Sequence, residues 1–195
     1  MKKWITIGIV LVVVFIIYRM FAGSYNNMVQ YNEDVVKQWA QVENQYQRRA
    51  DLIPNLVNTV KGYADFEQET LTQVIEARAK ATQVTVDPSN LSSEQIMQYQ
   101  AAQGELSSAL GRLMVVVERY PDLKANQNFL ELQAQLEGTE NRIAVERKRF
   151  NDTTRTYNTY IKSFPQTLLA GMFGFSEKAY FEAREGSDEV PQVQF

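Results

Sequence analysis

The chain contains no cysteine and no histidine. The first absence excludes disulfides, thiolate metal sites, cysteine nucleophiles and lipidation through a cysteine, and it suits either side of a membrane. The second removes the commonest general base and the commonest transition-metal ligand. A di-iron bundle of the Glu-x-x-His type is excluded with it. A concentrated basic patch is also missing. The net charge is −3 and the Lys and Arg residues are scattered, which argues against a nucleic-acid surface or a stacking platform for bases. No Gly-rich strand–helix loop is present: Gly171-Met172-Phe173-Gly174 lacks the Lys-Ser/Thr follow-on of a phosphate-binding loop. No repeat of solenoid period is visible. Ser and Thr have no histidine beside them, and no carboxylate pair stands out from the helical charge pattern. The residues therefore assign no catalytic group, no cofactor and no metal ligand, and the expectation is a protein that is not an enzyme.

What is present is apolar and periodic. Apolar residues make up 45% of the 195, enough for one packed domain without staples. Residues 4–22 read as a membrane-spanning helix, near the lower end of the ~17–25 residues that a bilayer needs. Trp4 and Tyr18 suit the two interfaces, and Arg19 can snorkel to the headgroups. A cleaved secretory signal is the rival reading of Met1-Lys2-Lys3 and the apolar run. Arg19 directly after the run, and the lack of a small-x-small site, count against it. Lys2 and Lys3 lean toward a cytoplasmic N-terminus and a translocated main domain. The expected location is the bacterial cytoplasmic (inner) membrane, with a single pass.

A seam in strict sevens follows at once: Tyr25, Asn32, Trp39, Tyr46, Ile53 and Val60, with Met28, Val35, Val42, Arg49, Leu56 and Tyr63 three residues after each. This spacing predicts a helix packed against a partner with left-handed twist. One helix can run from the span to about residue 63, with a kink at Pro54. A second helix is expected over Phe66 to Thr82, with Leu71, Val74, Ile75 and Arg78 toward the core. Asp87-Pro88-Ser89-Asn90 marks a loop, and Ser92 with Gln95 a capping box. A third helix runs to about Arg119 through Tyr99, Leu106, Leu110, Leu113, Val117 and Tyr120, and Pro121 stops it. The fourth covers about Asn126 to Ser163, with Phe129, Leu136, Ile143, Phe150, Tyr157 and Phe164 at one heptad position. Phe164-Pro165 ends it. Residues 171–174 are expected as a tight turn, with Leu168, Leu169, Phe173 and Phe175 covering a bundle end or touching lipid.

Arg49 breaks the apolar seam. Glu140 and Arg147 sit four residues after Leu136 and Ile143, and Glu118 closes the third helix with Arg119. With Pro54 these are the register candidates: a buried ion-pair layer such as Arg49 against Glu140 sets register more reliably than it adds stability. Solvated helix faces and a ligand pocket in the bundle are the alternatives.

Residues 47–64, from Gln47-Arg48-Arg49-Ala50-Asp51-Leu52-Ile53-Pro54-Asn55-Leu56 through Tyr63-Ala64, resemble the hallmark of the LemA family. Residues 112–125 (Arg112-Leu113 through Arg119-Tyr120-Pro121-Asp122-Leu123), Thr139-Glu140-Asn141-Arg142-Ile143-Ala144, and the run from Phe150-Asn151 through Phe164-Pro165 to Gly174-Phe175 and Tyr180-Phe181 agree in family order. The resemblance covers nearly the whole chain. It implies one transmembrane helix followed by an antiparallel helical bundle in a bacterial membrane protein, and no reaction, cofactor or catalytic residue. It also implies a short N-terminus outside the cell, opposite to the lean of the lysines. Some members look like lipoproteins, which a chain without cysteine cannot follow.

The expected fold is thus all-α: a transmembrane anchor over 1–23, an antiparallel four-helix-type bundle over 24–164, and an apolar turn with an acidic tail over 165–195. The expected function is that of a membrane-anchored interaction or scaffold module, with a tethered ligand-binding or sensory bundle as the alternative. The expected partners are the bilayer, through residues 4–22, and proteins that the sequence does not name, with no nucleic acid. Self-association through Gln-rich faces such as Gln41-Gln45 and Gln133-Gln135 is a further expectation.

Overall fold

Apolar residues at seven-residue spacing become the buried stripe of long helices in the computed structural model of the chain, which describes residues 2–62 and 67–182. The order is α1 (Lys2–Lys61), α2 (Gln68–Gln83), α3 (Ser93–Val117), α4 (Pro121–Lys124), α5 (Gln127–Lys162) and α6 (Gln166–Phe173). No strand occurs among the described residues, and the fold is all-α. Seam residue Tyr63, the expected helix start at Phe66 and the acidic tail lie outside the described residues.

The chain divides into two compact units: unit 1 from Met1–Arg49, Asp87–Asn90 and Gln135–Lys178, and unit 2 from Ala50–Val86, Leu91–Ala134 and Ala179–Phe195. In unit 1, α1 and α5 run antiparallel, since partners fall in number along one as they rise along the other. Tyr31 meets Tyr160, Trp39 meets Phe150, and Arg49 meets Glu140. The seam residues Met28, Val35, Trp39, Val42 and Tyr46 are buried, as are Leu136, Ile143, Phe150, Tyr157 and Ile161 of α5. Trp39 and Phe150 meet edge to face, with ring centroids 5.6 Å apart. Tyr25, at the start of the seam, stays partly exposed.

α5 ends at Lys162, so Phe164 leaves the heptad phase. Expected in the core, it is 81% exposed instead. The expected tight turn at 171–174 is also corrected: Gly171 lies within α6, and Gly174 alone closes it. Gly174 has φ +77, a left-handed conformation natural to glycine, and the Phe175 N–H donates to the Ala170 carbonyl at 2.9 Å. Leu169 of the four expected covering residues is buried, while Leu168 faces out. The following extended residues form a strap. The Tyr157 hydroxyl donates to the Ser176 carbonyl (2.8 Å). The Asn158 amide both donates to the Lys178 carbonyl (2.8 Å) and accepts from the Lys178 N–H (3.0 Å). This two-point clamp satisfies a buried amide and a buried backbone together.

In unit 2, Ile53, Leu56, Val57 and Val60 of α1 are buried, with Leu71, Val74, Ala77 and Ala81 of α2 and Ile96, Tyr99, Leu106, Leu110, Leu113 and Val117 of α3. α2 and α3 are antiparallel: Gln103 donates to the Ala81 carbonyl (3.1 Å), and Arg119 pairs with Glu67 (2.6 Å). Ile75, expected inside, is exposed. The small residues Ala77 and Ala81 take the buried side, where little side chain keeps α2 from its neighbours. The capping box forms: the Gln95 N–H donates to Ser92 Oγ at 3.3 Å, and the Ser92 N–H donates to Gln95 Oε1 at 3.5 Å. α3 stops at Val117, and Pro121 opens the short α4 as well as ending the third helix's course, its missing N–H costing nothing at a helix start.

Candidate functional site

Two features of the structure carry unusual chemistry. The first is a polar layer in unit 1. Arg49 takes a position in the apolar face of α1 and is only 1% exposed. A guanidinium there needs a countercharge. α5 supplies it: Arg49 Nη1 pairs with Glu140 Oε1, while the Glu140 side chain keeps 40% of its surface in water. Three residues before Arg49 on α1, the Tyr46 ring lies under the guanidinium, 5.1 Å from ring centroid to carbon. Arg147, two turns beyond Glu140 on α5, hydrogen-bonds the Tyr46 hydroxyl. Burial pushes the Tyr46 phenol above its ordinary value of 10.0. The charges of Arg147 and Arg49 pull it back, and Glu140 pushes it up.

The layer thus joins Arg49, Glu140, Arg147 and Tyr46. Glu118 does not belong to it. It ion-pairs with Lys124 at the surface of unit 2, where its place at the end of α3 puts it beside α4. Pro54 also lies in unit 2, inside α1, which passes through it without restarting. Proline has no N–H to give the carbonyl four residues earlier, that of Ala50. Arg78 Nε donates to that carbonyl at 2.7 Å. The helix defect and its remedy are one arrangement.

A second buried cation was not expected from sequence. Lys178 is buried at the end of the strap, and its Nζ donates to the carbonyls of Ser89 (3.0 Å) and Pro88 (3.3 Å). Burial holds this ammonium below its usual value, opposed by the charges of Asp87 and Glu33. No local pattern marks Lys178, because its partners lie 89 and 90 residues away. The Pro54 arrangement had a signal: a proline within a persistent seam implies a carbonyl in search of a donor.

The second feature is the apolar start of α1. An 18-residue window there has mean hydropathy 2.5, and none of it is buried. Trp4, Tyr18 and Arg19 are exposed on this segment. From residue 4 to residue 22 a helix rises about 27 Å, close to a bilayer's ~30 Å hydrocarbon core. Its length and composition therefore suit a membrane crossing.

What could act chemically is limited. Among the described residues, no group of three or more His, Cys, Asp or Glu could hold a metal ion. An open surface groove of about 380 Å³ lies along unit 1, lined by Tyr31, Asp34, Lys37, Gln38, Asp152, Thr153 and Thr156, without Arg49 or Glu140.

Comparison with known proteins places this architecture. A LemA family model matches residues 38–195, which include the whole polar layer, α6 and the strap. The chain belongs to the LemA family. This LemA-family chain is 29% identical over 181 residues to magnetosome protein MamQ 2 of Paramagnetospirillum magneticum, covering 84% of the chain and 66% of that relative. Its similarity to magnetosome protein MamQ of Magnetospirillum gryphiswaldense is 29% over 189 residues, 87% of the chain and 70% of the relative. Protein LemA of Metamycoplasma hominis is 24% identical over 187 residues, covering 94% and 80%. The chain spans just under two thirds of the length of the first of these relatives.

Proposed function

We propose that this LemA-family chain is a membrane-anchored scaffold. In this reading α1 crosses the bacterial cytoplasmic membrane through residues 4–22, and the folded part presents helix faces to protein partners, further copies of the chain among them. The observation that carries the proposal is continuity: the exposed apolar segment and the buried seam are one unbroken helix, Lys2–Lys61. A cleavable leader has no need of a shared helix with the domain that it precedes. The polar layer then serves as a register device, because Arg49 finds its countercharge only in one alignment of α1 against α5. The proposal assigns no reaction.

The absence of cysteine gives a clean test. Single cysteines at Ser24, next to the apolar segment, and at the exposed Ser108 are probed in intact cells with a membrane-impermeant thiol reagent. Labelling at both supports an anchored, translocated fold, as Lys2 and Lys3 suggest. Protection at both until lysis places the fold in the cytoplasm. Recovery of the labelled chain in the soluble fraction contradicts the anchor. The open groove beside Tyr31 and Asp152 favours a second reading, a tethered domain that binds a small ligand. Thermal shifts against polar metabolites would bring that reading forward.

A further inference from the structure

Most of the exposed apolar surface of unit 1 outside the α1 segment gathers at one end. Phe164 is 81% exposed, Leu168 63% and Met172 73%. Their four-residue spacing puts Leu168 and Met172 on one face of α6, with Phe164 just before its start. The opposite face holds the buried Leu169 and Ala170. Large apolar side chains held in water near one helix mark a contact surface.

Its height along α1 is set by aromatic contacts. The Tyr25 ring meets Phe173 at 5.0 Å and Phe175 at 5.9 Å, both edge-on. Tyr25 is three residues beyond Ala22, where the apolar segment ends, a rise of about 4.5 Å. α6 is therefore within a turn of the level at which α1 leaves the proposed bilayer.

Charge is excluded from the same level on both segments. No charged residue occurs between Arg19 and Glu33 on α1, nor between Lys162 and Glu177 around α6. Lys162 and Glu177 pair with each other, closing the uncharged stretch at its base. What remains is Tyr, Asn, Gln, Ser and Thr among Phe, Leu and Met: Asn27 donates to the Tyr160 hydroxyl (3.2 Å), and Tyr31 packs on the Tyr160 ring. This composition suits the headgroup–acyl boundary, where amphipathic rings settle and an apolar helix face can sink ~5–10 Å.

We infer that α6 is a second membrane contact, a short interfacial helix that lays Phe164, Leu168 and Met172 into the bilayer surface beside the exit of α1. It fixes the tilt and rotation of unit 1 against the membrane, which a single helix cannot do alone. The inference rests on the proposed anchoring.

The test uses the full chain in phosphatidylcholine/phosphatidylglycerol vesicles, with an environment-sensitive fluorophore on a single cysteine. The sites are Met172→Cys, Leu11→Cys and Val145→Cys, the last an exposed apolar position on α5 about 25 Å along the helix from its end. All three side chains are exposed, so the substitutions leave the core untouched. The expected result is that nitroxide lipids quench position 11 most strongly from deep in the chains and position 172 from the carbonyl level, with position 145 unaffected. Phe164→Ser with Leu168→Ser should then remove most of the quenching at 172. Quenching at 11 but not at 172 overturns the inference and leaves the anchor standing. No quenching at 11 overturns the anchor and the inference together. A signal at 172 that is insensitive to nitroxide lipid and vanishes on dilution with unlabelled chain assigns the row to a second copy, which also overturns it.

Discussion

In unit 1 a guanidinium and an ammonium are buried, one in the helix seam and one under the strap, whereas in unit 2 the ion pairs Lys80–Glu105, Arg119–Glu67 and Lys124–Glu118 are all well exposed. Both units are all-helical and α1 contributes to each, so helix type is not the cause. Unit 2 fills its interior mainly with aliphatic side chains from α1, α2 and α3, and its ion pairs lie on the outside. The core of unit 1 is mainly the seam of one helix pair. There a long side chain can be buried along its whole length while its partner still reaches water, as Glu140 does. Burial of charge is thus tolerable in unit 1, and it confers a unique alignment that a uniform apolar seam lacks.

That contrast is open to attack by substitution. Glu140→Ala leaves Arg49 buried beside Tyr46 without its countercharge and should cost about 3 kcal/mol, read from urea denaturation. Arg49→Leu removes the buried charge and releases Glu140 to water, so it should cost about 1 kcal/mol while alignment of the helix pair loosens. Glu105→Ala in unit 2 should change stability by no more than about 0.5 kcal/mol. Equal costs for Glu140→Ala and Glu105→Ala would erase the distinction between the units.

A smaller effect concerns a place where a cation serves the backbone of unit 2. Arg78→Ala should cost about 1–2 kcal/mol by stranding the Ala50 carbonyl. In a Pro54→Ala background the helix supplies its own N–H, and the same change should cost about 1 kcal/mol less. Additive effects in the double-mutant cycle would show that Arg78 does not compensate for the proline.

The smallest effect is the alkaline response of unit 1. Burial raises the Tyr46 and Tyr157 phenols above 10.0. The unfolded chain therefore loses these protons first, and the stability that they contribute is present below pH 10.0 and is lost as pH climbs past it. Lys178 acts oppositely. Its folded value lies below the usual 10.5, so the cost of holding it charged is full at neutral pH and fades as pH rises toward 10.5. Denaturation midpoints above pH 10.0 should fall less in Tyr46→Phe than in the parent chain, and more steeply in Lys178→Met. An unchanged profile in both would remove the titration argument.

Several of these positions were legible in advance and others were not. Trp39, Val42, Ile53 and Leu56 announce themselves by heptad spacing, and Ser92 with Gln95 by a cap that needs only four residues. Arg49 stood out as a polar residue in an apolar series. The buried face of α2 differs from the expectation because Leu71 and Val74 begin two helical stripes. One continues through Ile75 and Arg78, the other through Ala77 and Ala81, and packing took the second for its small side chains. Phe164 was misread because the heptad count runs on past Lys162, where the helix itself ends.

The sequence by itself determined the all-α class, the apolar segment, the seam and the Ser92–Gln95 cap, because periodicity and capping act over a few residues of one chain segment. Only the tertiary structure decided that Arg78 reaches Ala50, that Lys178 sits on Pro88 and Ser89, and that α6 lies beside Tyr25 with its apolar row facing out. These contacts join residues from 28 to about 150 positions apart. A side chain carries no local mark of such a partner, which becomes available only once the packed helices have met the entropic cost of closing the chain between them.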